Sequence, residues 1–80
     1  MFIVYILTSQ QNPTKHYVGF TTDLNKRLQA HNAKKSTFSK KYAPWEIECY
    51  IVFKHEDRAR DFEKYLKKGS GHAFFRKYLV

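Results

Sequence analysis

Arg27 and Glu63 are charges where their helices should be apolar. In the helical pattern after Thr21, Leu24, Leu28 and His31 fall at i, i+4 and i+7 and define an inward stripe, and Arg27 fills i+3 of the same template. In a later helical pattern, Ala59, Phe62 and Leu66 form the stripe and Glu63 occupies its remaining position. A charge beside a core stripe is costly unless it is paired or faces a wet cleft. Three readings are open: a side chain snorkelling at the stripe's edge, an Arg27–Glu63 ion pair across two helices, or a polar site into which both project. A second group carries polyanion chemistry. Lys34-Lys35-Ser36-Thr37-Phe38-Ser39-Lys40-Lys41-Tyr42 interleaves lysines, hydroxyls and aromatics. Lysines and hydroxyls suit phosphate oxygens and aromatics suit unpaired bases, although such a run also serves as a plain solvated face.

These residues sit in a chain of 80 residues, which buries only about 60–65% of its unfolded surface and has a small core. Fifteen Lys+Arg against seven Asp+Glu give a formal net charge of +8 and favour a polyanionic partner over an acidic-ligand site. A hydrophobic content of 42% with 18% aromatics excludes a disordered basic tail. The single Cys excludes an internal disulfide framework and a Cys-x-x-Cys zinc site, in keeping with a reduced, cytoplasmic setting. Met1–Leu7 is apolar but too short to span a membrane, and it lacks the basic flank of a signal peptide. No membrane partner is expected.

The elements that must position the charges read as follows. Phe2–Leu7 is a continuous β-branched and aromatic run, the pattern of a central strand covered on both faces. Thr8–Lys15, with Asn12-Pro13, reads as a turn into a second strand, His16–Thr21, making an antiparallel hairpin. Thr21-Thr22-Asp23 offers N-caps for a helix through about Asn32. Ala33–Tyr42 fits a short helix or an ordered loop. After Pro44, Ile47, Cys49, Ile51 and Phe53 alternate with Glu46, Glu48, Tyr50 and Val52, a period-2 strand. Glu56–Lys68 is a helix ended by Gly69, and Ser70 is expected to cap a last short helix through Leu79. The order ββαβαα is a small α+β domain, a three-stranded antiparallel sheet flanked by helices, with residues 1–80 as one unit.

Two tyrosines share this frame. If the hairpin register sums to an even number, Tyr5 and Tyr17 lie on one face; a one-residue slip separates them. Half-buried sheet aromatics are the commoner role for both. Gly19, inside a strand, marks a bulge or a close approach. Cys49 reads as a small core residue. His16, His55 and His72 show no ligand spacing and read as surface or phosphate-adjacent.

Ile3-Val4-Tyr5, Tyr17-Val18-Gly19, Arg27, His31-Asn32 and Glu63, taken as an ordered set from about Phe2 to Leu79, resemble the GIY-YIG nuclease domain. The chain is most similar to its small stand-alone bacterial members, and these to the N-terminal nuclease module of the bacterial excinuclease and to phage homing endonucleases. The resemblance implies metal-dependent hydrolysis of DNA phosphodiester bonds, selective for structure rather than sequence, in repair or recombination. It implies Glu63 as the sole protein ligand of one Mg²⁺ or Mn²⁺ and Arg27 as stabiliser of charge on phosphorus. Tyr5 or Tyr17 would activate water, with Tyr5 favoured as base and Tyr17 as its orienting partner. His31, one turn beyond Arg27, would orient a tyrosine hydroxyl or be a plain core-edge histidine. Lys34, Lys35, Lys40 and Lys41, with Arg58, Lys67 and Lys68 around the Glu63 helix, would grip DNA, and a protein partner or second copy would supply specificity. Ile3 stands where the first motif has Gly, Val18 where the second has Ile, and Lys67–Val80 lacks an Asn that many relatives carry. These departures motivate an alternative, a catalytically inactive nucleic-acid-binding module of the same fold.

Overall fold

Six consecutive buried residues, Val4–Ser9, run through the middle of the sheet. In the computed structural model, which describes residues 1–33 and 37–80, they belong to β1 (Phe2–Ser9). This strand pairs antiparallel with β2 (His16–Thr21) on one edge and β3 (Trp45–Phe53) on the other, giving the order β2-β1-β3. Helices cover both faces, so the continuous apolar run finds burial on each side. Val4 and Ile6 pack with Ala59 and Leu66 of α3 (Glu56–Leu66) and with Phe75. Tyr5 and Leu7 pack with Ala43 and Trp45, flanked by Leu24 and Leu28 of α1 (Leu24–Asn32) and Tyr42 of α2 (Thr37–Tyr42). The fold is α+β, a three-stranded antiparallel sheet between helices.

The turn after β1 fixes the hairpin register. Buried Ser9 donates its hydroxyl to the Tyr42 carbonyl (2.6 Å) and accepts from Asn12 N (3.0 Å), while Asn12 Oδ1 accepts from Thr14 N and Oγ1. Asn12 thereby supplies the local side-chain bonds that such turns require. The pairs that follow are Leu7 with Tyr17, Tyr5 with Gly19 and Ile3 with Thr21, an even sum, so Tyr5 and Tyr17 lie on one face.

On the other edge the register shifts between Ile6 and Leu7, with Ile6 opposite Cys49 and Leu7 opposite Ile47. Glu48 is the extra residue of this bulge. The alternation along β3 continues unbroken, yet its inward residues divide between two cores: Cys49 and Phe53 join the α3 side, Trp45 and Ile47 the α1 side.

Asp23 caps α1 by accepting from Lys26 N (3.1 Å). At the far end, the Asn32 amide accepts from Trp45 N (2.6 Å) and donates to Trp45 O (3.1 Å), tying the helix to the start of β3. The C-terminal corner departs from expectation. Lys67 is the C-cap of α3, and α4 (Gly69–Phe74) has Lys68 rather than Ser70 as N-cap before running into a π-helical turn at Phe75–Leu79. Gly69, at φ +64°, makes the joint in the left-handed region that glycine tolerates. Gly71 packs so tightly that a Cβ there would overlap the Tyr65 carbonyl. Backbone cannot yield as a side-chain end can, so Gly71→Ala should lower the free energy of unfolding by about 1–3 kcal/mol. A urea titration with an unchanged midpoint would refute this packing account.

Candidate active site

Tyr5, at the centre of β1, is 1% exposed. Its ring lies across Gly19 of the neighbouring strand, where a Cβ would press on the hydroxyl and come within 2.8 Å of Cε1. The glycine inside β2 is thus required by a side chain's approach rather than by a turn. Tyr17 stacks beside Tyr5 with centroids 6.1 Å apart, and His31 of α1 sits edge-on to Tyr17 at 4.5 Å. The Tyr5 hydroxyl and His31 Nε2 are 3.2 Å apart, which satisfies a phenol that could not be buried unpaired.

The electrostatics hold both partners neutral. Burial, then the neighbouring Tyr17, pushes the Tyr5 pKa well above the usual phenol value, with Glu63 adding to the rise and Arg27 opposing it. Burial, then Arg27, lowers that of His31. A neutral imidazole protonated on Nδ1 accepts the Tyr5 O–H at Nε2. Cys49 packs in the α3 core with its thiol pKa raised by burial and by Glu48, consistent with a core role.

Next to this cluster, along β2, opens a cleft of about 490 Å³ lined by Tyr5, Tyr17, Gly19, Phe20, Thr21, Thr22, Arg27, Arg60 and Glu63. It collects side chains from α1 and α3, which pack on opposite faces of the sheet. Arg27 is exposed and reaches the Phe20 carbonyl through Nη2 at 3.4 Å. Glu63 does not pair with Arg27. Its side chain, 19% exposed, accepts from Lys67 Nζ at 2.7 Å. Of the five central residues, Tyr5, Tyr17, Arg27 and Glu63 line the cleft, and His31 stands behind Tyr5.

The cationic residues expected to grip DNA are more dispersed. Lys40, Lys41, Arg58, Lys67 and Lys68 are exposed and outside the cleft's lining, and Lys34 and Lys35 lie outside the described residues. Arg60, which the sequence pattern does not mark as a site residue, lines the cleft, its guanidinium 4.2 Å from the Phe20 ring centroid and its Nε donating to Glu56. Its position one turn before Glu63 is the signal that could have found it. Among the described residues no group of three His, Cys, Asp or Glu is placed to hold a metal. Glu63 is the one carboxylate in the cleft's lining, and a cation such as Mg²⁺ commonly takes one or two carboxylates and fills its other positions with water and phosphate oxygens.

The GIY-YIG catalytic domain model matches residues 1–78. The chain belongs to the GIY-YIG family. Two UPF0213 proteins from different serotypes of Streptococcus pyogenes are each 42% identical to it over 53 residues, 65% of this chain. The match spans 58% of those relatives' own length, somewhat over half. No helix among the described residues is long and apolar enough to cross a membrane.

Because His31 has a lowered pKa, the unfolded chain takes up this proton first as pH falls. The stability that neutral His31 contributes is complete above about pH 6.5 and is lost as pH falls toward and through its folded pKa. Melting temperatures followed from about pH 7.5 to about pH 5 should decline for the native chain and less steeply for His31→Gln. Parallel profiles would assign the pH dependence elsewhere.

Proposed function

We propose that the cleft hydrolyses DNA phosphodiester bonds with one divalent cation, Mg²⁺ or Mn²⁺, choosing its substrate by structure rather than base sequence. The supporting observation is the convergence of Tyr5, Tyr17, Arg27 and Glu63 on one open cleft in a chain of the GIY-YIG family. Glu63 would hold the cation, which when bound supplies Lewis-acid polarisation of the phosphate and stabilises the leaving 3′ oxygen. Arg27 offers its planar donor fork to the charge that builds on phosphorus.

The tyrosine cluster supplies the proton path. Burial keeps Tyr5 a phenol, so it works as a relay: the attacking water gives its proton to the Tyr5 oxygen while the Tyr5 proton moves to His31 Nε2. The water oxygen then bonds to phosphorus, the bond to O3′ breaks, O3′ takes a proton from solvent, and His31, which burial and Arg27 hold neutral, gives its extra proton back to solvent. Tyr17 keeps the Tyr5 ring in line by stacking on it. Lys34, Lys35, Lys40, Lys41, Arg58, Lys67 and Lys68 hold the DNA backbone. No base-reading motif accompanies them, which favours a structure-selective role in repair or recombination in the cytoplasm. One such site cuts one strand, and a second copy or a protein partner would direct it.

Branched, flapped and single-stranded DNA incubated with Mg²⁺ or Mn²⁺ should be cleaved. Arg27→Ala, Glu63→Ala and Tyr5→Phe should each slow cleavage by roughly a hundredfold or more. Cleavage at native rates in these variants would refute the assignment. DNA binding without cleavage of any substrate would identify a non-catalytic module.

A further inference from the structure

Phe20 holds two guanidiniums at once. It lies near the end of β2, the edge strand that borders the cleft. Its carbonyl accepts from Arg27 Nη2 at 3.4 Å, and its ring carries the Arg60 guanidinium 4.2 Å from the centroid. Arg27 comes from α1 and Arg60 from α3, so one cation stands on each side of the same strand. The ring is itself fixed. It stacks on Phe2 of β1 with centroids 6.3 Å apart and planes at 13°, and it packs against the α3-side core.

The reaction proposed above uses Arg27 and leaves Arg60 without a role, although Arg60 is well placed for an anion. Its Nε donates to Glu56 at 2.7 Å, whereas its two Nη groups have no bonded partner among the described residues. Such a planar pair of donors matches two oxygens of a phosphate. The contact with Phe20 spends none of these donors, because the ring takes the face of the guanidinium and leaves its edge for a ligand. The Glu56 pair is about half exposed on both sides, so water screens it and it holds Arg60 weakly. Glu63, one turn on, is bonded to Lys67 and does not compensate Arg60.

A cleft that receives a phosphodiester receives a chain of them, with a further phosphate one nucleotide away. Arg27 and Arg60 are held to different parts of Phe20 and reach the cleft from opposite walls. That arrangement suits two anions along one strand better than a single anion. We propose that Arg60, laid on Phe20, binds the phosphate next to the one that Arg27 addresses, on the same strand. Phe20 is then the spacer that sets two successive phosphates across the edge of the sheet. The proposal rests on the phosphodiester reading of the cleft and assigns its second backbone contact.

Binding of a labelled single-stranded oligonucleotide in EDTA, followed by fluorescence anisotropy over a range of KCl, reads this contact without cleavage. Each phosphate neutralised on a single strand adds about 0.7 to the slope of log affinity on log salt, so Arg60→Ala should lower the slope by about that amount. It should also weaken binding roughly fivefold at low salt. Lys64→Ala removes the same charge from an exposed position of α3 outside the cleft's lining and should change both quantities far less. Glu56→Gln should tighten binding about threefold by freeing Arg60, and little of that gain should remain in an Arg60→Ala background. Circular dichroism verifies that each variant is folded. A native slope in Arg60→Ala overturns the proposal, as does an equal loss in Lys64→Ala or a Glu56→Gln gain that survives in full without Arg60. Cleavage is read separately: Arg60→Ala should raise KM about fivefold with kcat within about twofold of native, and a kcat loss as large as that of Arg27→Ala overturns the assignment to a neighbouring phosphate. No cleavage by the native chain, with the slope change intact, removes the nuclease reading and keeps the phosphate contact.

Discussion

The Tyr5 ring laid across Gly19 is the contact on which the other parts of the site depend. A phenol at the centre of a doubly covered sheet must have a hydrogen-bonding partner, and His31 of α1 stands within reach. His31 meets that need and so helps fix the helix against the sheet. One turn earlier the same helix carries Arg27, whose direction toward the cleft is therefore settled by a buried hydrogen bond some distance away. Tyr17 closes the cluster by packing on both rings. A steric opening the size of one methyl group thus becomes the alignment of a cation.

Charge is arranged with the opposite logic on the α3 side. Glu63 lies in a chain with a strong cationic excess, and its neighbours Arg60 and Lys67 each already have a carboxylate: Glu56 for the first, Glu63 itself for the second. These i,i+4 pairs are partly exposed and add little to stability. Their consequence is directional. Arg60 is drawn along its own helix and flattened on Phe20, which leaves Arg27 to face the cleft from the other wall. The cleft keeps a carboxylate and a guanidinium apart, each on its own wall.

How far the chain could be read in advance depended on whether the deciding contact was local. The central strand was legible because Phe2–Leu7 is apolar throughout, which suits burial on both faces and needs no partner to interpret. The stripes Leu24–Leu28–His31 and Ala59–Phe62–Leu66 were legible for the same reason, and Arg27 and Glu63 stood out against them. Whether Tyr5 and Tyr17 share a face was not, because the parity of the register is set by Ser9 and Asn12 in the turn and by the Tyr42 carbonyl far along the chain. The Glu48 bulge left no trace in an alternation that continues through it. Arg60 went unnoticed as a cleft residue because a cation on an outer helix face looks the same whether it meets water or the Phe20 ring. The last helix began one residue before Ser70 because Gly69, free to take positive φ, could serve as its first residue as well as the end of the preceding connection.

Placing Tyr5 between Val4 and Ile6 has a consequence for cooperativity. Sites built on loops can open, fray or be remodelled at a small fraction of the global unfolding free energy. Here the phenol hangs from the strand that both cores share, so its release is coupled to the opening of the sheet's centre. The exposed partners are those on the rim, Arg27 and Lys67, whose contacts lie outside both cores. The molecule therefore divides its tolerances: a floor tied to both cores, and a rim of exposed side chains set outside them.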